Sequence, residues 1–332
     1  MNALQRITCL SVLMIIAIGL PWVGGSFLIT TAIAALYLAY QSIAWNLIGG
    51  LAGQFSLGNT IFVGAGAYTS SYLFVRFGIS PWIGVWAGAA IAMMLSYLIG
   101  AVTFRLSLRG LYFAMVTLAL AEMAQVLIEN IEPLGGAYGI LIPVQGNNIA
   151  AMQFESRAVY YYIILTMLVI AACVMTWIQK GRLGLMLDGL KDNEDAARAV
   201  GVPIVSSMQV SFALSALLAA FGGTFMAQYT LFIDPKMFSW TEAFLFLLPA
   251  IIGGTRHWSG PIVGAILLQL VADLSRITFG ASVHGLAQLI YGVVVIVVVM
   301  RTRVGIVDWF IERWEVRRMT AKAKKESVDG TT

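Results

Sequence analysis

Apolar runs long enough to cross a bilayer recur from one end of this sequence to the other, and little charge interrupts them. A hydrocarbon core about 30 Å thick takes roughly 20 apolar residues per helix. In lipid the backbone must satisfy its own hydrogen bonds, which a helix does within one segment. With 60% hydrophobic and 11% charged residues, a soluble globular domain is excluded. The fold class is all-α: a polytopic helical membrane protein with about ten transmembrane helices. Hydropathy places them at 7–23, 27–50, 60–75, 81–104, 110–128, 159–179, 206–231, 243–254, 260–278 and 285–300. The third is short and glycine-rich. The eighth is short and ends on glycine, the pattern of a partial or re-entrant span. Many of the 33 glycines lie inside these runs, where small residues let membrane helices pack closely.

Basic residues set the orientation. An N-terminus inside the cell puts Arg6, Arg105, Arg109, the 180–201 stretch, Arg256 and the C-terminal tail in the cytoplasm. It leaves Arg76, Arg157, Lys236 and Arg276 outside, so both termini are expected to be cytoplasmic. Arg6 ahead of an apolar run resembles a signal peptide, but no small-x-small cleavage site stands out and a second apolar run follows at once. The first run is therefore read as an uncleaved helix. Residues 1–303 are expected to form a transmembrane domain with a cytoplasmic loop at 180–205, and 304–332 a basic tail suited to anionic lipid. That tail resembles no nucleic-acid module. Cys9 and Cys173 both fall in apolar spans without metal-type spacing and read as buried small hydrophobes.

The densest charge in the chain is an island between two spans. It begins Lys180-Gly181-Arg182-Leu183-Gly184, passes Asp188, and ends Lys191-Asp192-Asn193-Glu194-Asp195-Ala196-Ala197-Arg198-Ala199-Val200-Gly201. Asp192 or Asn193 is a fitting N-cap, Glu194 and Asp195 suit a first turn, and Gly201 suits the position past the end. This predicts a short helix too charged to span a bilayer and too small for its own core, hence a docking element for a partner. Ala196 and Ala197 are small enough to allow close approach.

Two connections, 129–157 and 232–242, face outward in this topology and either form a platform for an external partner or substrate or are ordinary solvated loops. No solenoid period is present, and the likeness between Ile48-Gly49-Gly50 and Ile252-Gly253-Gly254 does not fit an inverted repeat.

Polar residues at membrane depth are the remaining candidates. Gln54, Ser56 and Asn59 surround a glycine-flanked turn and either line the lower pathway or satisfy helix-end amides. Glu122 lies within the fifth span; it serves transport or helix packing, with a hydrogen-bonded partner or in neutral form. Asp273 and Arg276 fit a pair on one helical face. His257 and His284 are isolated, and no metal cluster, nucleophile elbow or Gly-x-x-x-x-Gly-Lys-[Ser/Thr] loop is present. Tryptophans near span ends suit an interfacial belt.

At the island, Gly181-Arg182 followed by Asp192-Asn193-Glu194-Asp195-Ala196-Ala197-Arg198 and Gly201 resembles the cytoplasmic coupling loop of permease subunits in branched-chain amino acid ABC importers. Three more segments resemble that family. They are Asn46-Leu47-Ile48-Gly49-Gly50-Leu51-Ala52-Gly53-Gln54-Phe55-Ser56-Leu57-Gly58-Asn59, continuing through Gly64-Ala65-Gly66-Ala67-Tyr68-Thr69; Arg109-Gly110-Leu111-Tyr112-Phe113-Ala114 with Glu122; and Ile252-Gly253-Gly254 with Trp258-Ser259-Gly260-Pro261. The likeness is to the longer of two paralogous permeases. It implies a bacterial cytoplasmic membrane, a second permease, two cytoplasmic ATPases that use the ATP, and an extracytoplasmic solute-binding protein. It also implies no cofactor or enzymatic site in this chain. One departure is Leu134-Gly135-Gly136-Ala137-Tyr138-Gly139, where family members often carry Thr-Gly-Gly-x-Asp-Gly. It leaves open a cargo of urea, short amides or another small solute. A stand-alone secondary transporter or channel is the rival from another class.

Overall fold

The computed structural model describes residues 17–22, 25–279 and, beyond them, 289, 292–293, 296–297, 300, 305–309 and 313. The expected spans 7–23 and 285–300 lie largely outside the described residues. The other eight runs are helices: α1 (Ser26–Asn46), α2 (Asn59–Phe77), α3 (Pro81–Arg105), α4 (Gly110–Glu129), α5 (Arg157–Lys180), α8 (Ile204–Thr230), α9 (Trp240–Gly253) and α10 (Ser259–Phe279). Between α5 and α8 lie two short helices, α6 (Arg182–Asp192) and α7 (Glu194–Ala199). A π-helical segment, Leu47–Leu51, continues α1. Among the described residues, five helices are long and apolar enough to cross a membrane: Ser26–Leu51, α3, α4, α5 and α8. At 14 residues with Pro249 inside it, α9 rises only about 21 Å, less than a hydrocarbon core about 30 Å thick.

Helices α2, α3 and α8 form the tightest packing. Their glycines explain it: a Cβ on Gly66 meets the Ala220 carbonyl oxygen at 2.2 Å, and one on Gly223 meets that of Val63 at 2.0 Å. Side chains at either place would hold the backbones apart. Helix α1 runs against α5, α9 and α10, and the α9–α10 corner closes through Gly253, Gly260 and Gly264. Phe62, Phe104, Phe113 and Phe212 meet at the centre. The outer faces of α3 and α4 stay apolar and exposed, for example Leu98, Val102, Met115 and Val126. That pattern is expected of a surface whose solvent is lipid.

The basic residues divide between two ends of the bundle. Arg105, Arg109, the island helices and the Arg256 turn gather at one end: Arg109 contacts Glu194, and Gln179 Nε2 donates to the Arg256 carbonyl. Arg76 and Arg157 lie at the opposite helix ends. There the two long connections are ordered and joined. Strand β1 (Ile140–Leu141) pairs antiparallel with β2 (Phe232–Ile233), Ile140 opposite Ile233 and Leu141 opposite Phe232. Trp82 Nε1 donates to the Ile149 carbonyl at 2.8 Å, and Arg157 to Thr30 Oγ1 at 3.0 Å.

One expectation fails outright. Cys173 is exposed, because it falls on the outer side of α5, opposite the buried row Leu168, Ala171 and Met175. Apolar character does not separate a lipid-facing side chain from a core one. Cys9 lies outside the described residues.

Candidate functional site

The island folds into two helices that lie back against the bundle. Gly181 opens α6, and Gly184 permits a close approach, since a Cβ there would meet the Ile178 carbonyl at 2.5 Å. Leu187 and Leu190 are buried while Leu185 is exposed, so α6 is amphipathic. At its end Lys191 Nζ donates to the Gly50 carbonyl at 2.9 Å, pinning the island to the π-helical end of α1. A π turn leaves carbonyls out of the regular ladder, and Gly50 supplies one to Lys191.

Asn193 then turns the chain. Its backbone is extended and its side-chain Oδ1 accepts from the Ala196 N–H at 3.0 Å, an N-cap for α7. Glu194 and Asp195 occupy the first turn and Arg198 the last, complementing the helix dipole. Gly201 adopts φ +84°, the left-handed geometry that ends the helix cheaply. Of the two expected caps, Asn193 takes the position and Asp192 ends α6. Glu194 Oε1 accepts from Arg109 Nη2 at 2.7 Å and from Arg198 Nη2 at 3.2 Å. The first ties α7 to the α3–α4 connection. Arg182, Asp192, Asp195 and Arg198 are exposed.

The alanines correct one expectation. Ala197 is buried, 6% exposed, against the protein itself, so it does not offer close approach to a partner. The face of α7 open to a partner carries Ala196, Ala199 and then Val200, which is 81% exposed. Such an exposed valine within a charged island is the signal that sequence reading missed.

The turn after the π segment divides its three polar residues among different tasks. Ser56 serves the turn: its carbonyl accepts from Trp45 Nε1 at 2.6 Å and its hydroxyl from the Gly58 N–H at 3.3 Å. Asn59 accepts from Ser215 Oγ at 3.4 Å, facing α8. Gln54 is 6% exposed and lines a cavity of about 280 Å³ beneath α7 with Arg105, Ser107, Arg109, Glu194 and Arg198. Glu122 is not grouped with them. Its Oε1 accepts from the Trp240 N–H at 2.9 Å, holding the N-terminus of α9. Asp273 accepts from Gln269 Nε2; the Arg276 side chain lies outside the described residues. Neither His284 nor most of the basic tail is described, but Asp308 accepts from the Arg256 N–H at 3.1 Å, so the start of the tail docks beside the island. No group of three His, Cys, Asp or Glu with metal-binding placement occurs among the described residues.

Known permeases resemble this chain in sequence. The LivM permease of the high-affinity branched-chain amino acid system of Salmonella typhimurium is 26% identical over 290 residues, covering 80% of this chain and 68% of that one. Its Escherichia coli counterpart matches at 26%, covering 80% and 67%. The fructose import permease FruF of Bifidobacterium longum is 22% identical, covering 68% and 63%. The family model for the permease component of branched-chain amino acid transport systems matches residues 27–299, and the chain belongs to that family.

Proposed function

We propose that this chain is a membrane-spanning permease subunit of an ATP-driven ABC importer that moves branched-chain or other small amino acids into the cell. It works beside a second permease, two cytoplasmic ATPases and an extracytoplasmic binding protein, in a bacterial inner membrane with both of its termini inside. The observation that carries the reading is α7: capped by Asn193, pinned through Glu194 to Arg109, and presenting Val200 outward. A rigid short helix held against the spans converts a pull from a partner into movement of the bundle. The ATPases use the nucleotide, and this chain supplies the gate.

The test uses the exposed face. Val200→Glu should leave folding intact, since Val200 touches solvent, while ATPase copurification and leucine uptake fall sharply. Retention of both would sink the coupling role. An Asp195→Cys variant should resist a membrane-impermeant thiol reagent in intact cells and react in inverted vesicles. A second cargo reading, another small polar solute, is favoured by the segment Leu134–Gly139, which lacks the Thr and Asp of the usual pattern. FruF, a similar chain named for sugar import, shows the range of cargo names among relatives.

A further inference from the structure

We propose that the cavity beneath α7 binds a phosphate-bearing anion, supplied by an acidic phospholipid headgroup or by free phosphate in the cytoplasm. The cavity walls carry Arg105, Arg109 and Arg198 against one carboxylate, Glu194. Both ion pairs fall on Glu194 Oε1, and Arg105 joins neither. Three guanidiniums against one carboxylate leave two positive charges for a ligand to balance, and guanidinium is the side chain best matched to phosphate oxygens.

Two further features point the same way. The 27-residue α8 opens onto the cavity at Ile204 and Val205, with no side-chain cap and no acidic residue in its first turn. Its free N–H groups and the positive end of its dipole favour an anion there. Independently, Gln54 lines the same space nine-tenths buried, and its Oε1 has no hydrogen-bond partner among the described residues. That oxygen is sealed from the space itself, so the Gln54 side chain adds a polar wall to the cavity rather than a direct contact to the anion. Val205 on the cavity wall and Leu106, next to Arg105 in the chain, are apolar and exposed, so acyl chains can lie there while the phosphate reaches the arginines. A bound phosphate would bridge α3, α7 and α8, bracing the helix proposed to take the ATPase pull.

The full chain, purified in detergent and stripped of lipid, is titrated at fixed ionic strength while its thermal unfolding is followed. The probes are dioctanoyl phosphatidylglycerol, glycerol phosphate, inorganic phosphate and, as a zwitterionic control, dioctanoyl phosphatidylcholine. The expected result is a saturable rise in unfolding temperature with phosphatidylglycerol and none with phosphatidylcholine. Its midpoint should weaken about tenfold or more in Arg105→Gln, the loss of one charge-assisted contact, and recover largely in Arg105→Lys. Lys236→Gln, a change at the other end of the helices, should leave it alone. Saturation by either soluble phosphate at similar concentration assigns the site to free phosphate; a response to lipid alone assigns it to a headgroup. Because Arg105 is exposed, its substitution spares the fold, and native mass spectrometry gives a second count of retained phospholipid. No saturable response to any phosphate probe, or the same response in Arg105→Gln as in the wild type, overturns the proposal. Since the assay reads binding by the chain itself, its failure leaves the transport reading standing, and the reverse holds.

Discussion

Single residues set the spacing of this bundle, and glycine does most of it. A Cβ on Gly223 would sit 2.0 Å from the Val63 carbonyl, a backbone atom that cannot swing aside. Gly223→Ala should therefore force α8 away from α2, with an overpacking cost of about 1–3 kcal/mol. Gly189, on α6, has nothing within 4 Å of an added Cβ, so Gly189→Ala should gain about 0.8–1 kcal/mol of helix propensity. Thermal unfolding in detergent checks both, and equal effects would refute the spacing argument. Glu122 separates structure from transport in the same way. Its carboxylate holds the exposed Trp240 N–H, so Glu122→Leu forfeits a net contribution of about 0.5–1.5 kcal/mol, while Glu122→Gln retains an acceptor. Leu is expected to lower the unfolding temperature and Gln to preserve both stability and leucine uptake. Normal stability with uptake lost in Gln would instead place the charge itself in the pathway.

At the scale of elements, α7 stands on its cap. Removing the Asn193 oxygen should cost the helix about 1 kcal/mol, so Asn193→Ala is expected to speed amide exchange across 194–199 while Asn193→Asp leaves it unchanged. Unaltered exchange in the alanine variant would mean that burial of Ala197 alone holds the helix. How much of this was legible follows from length. A span announces itself because about 20 apolar residues have few other uses, and α7 because Asn193, Glu194, Arg198 and Gly201 each suit one position of a capped helix. Helix α6 was hidden by Gly184 and Gly189, poor helix formers, although Leu183, Leu187 and Leu190 carry the helical spacing. The direction faced by Ala197 or Cys173 depends on how a helix is rotated against its neighbours, which hydropathy does not encode. Strands β1 and β2, two residues each, are too short for any alternation to register.

Across the whole molecule, the two ends differ in how they are held, and that difference bears on which end moves. The loop end is cross-braced by a backbone ribbon and two side chains: β1 pairs with β2, Trp82 holds the Ile149 carbonyl, and Arg157 reaches α1 through Thr30. At the island end the link from α7 to the α3–α4 connection is an ion pair whose Arg109 is 47% exposed, worth about 0–1 kcal/mol. If α7 takes the pull of an ATPase, as proposed, that exposed ion pair yields before the β-ribbon does, and the loop end should travel as one rigid layer. Locking that layer should then be harmless. Leu141 and Phe232 are register partners with exposed side chains, and antiparallel partners have Cα atoms roughly 4.5–5.5 Å apart, within disulfide reach. The double variant Leu141→Cys/Phe232→Cys should oxidise readily, raise the unfolding temperature, and leave leucine uptake the same before and after reduction. Uptake that appears only after dithiothreitol would show that the ribbon opens during transport, and that the outer connections part with each cycle.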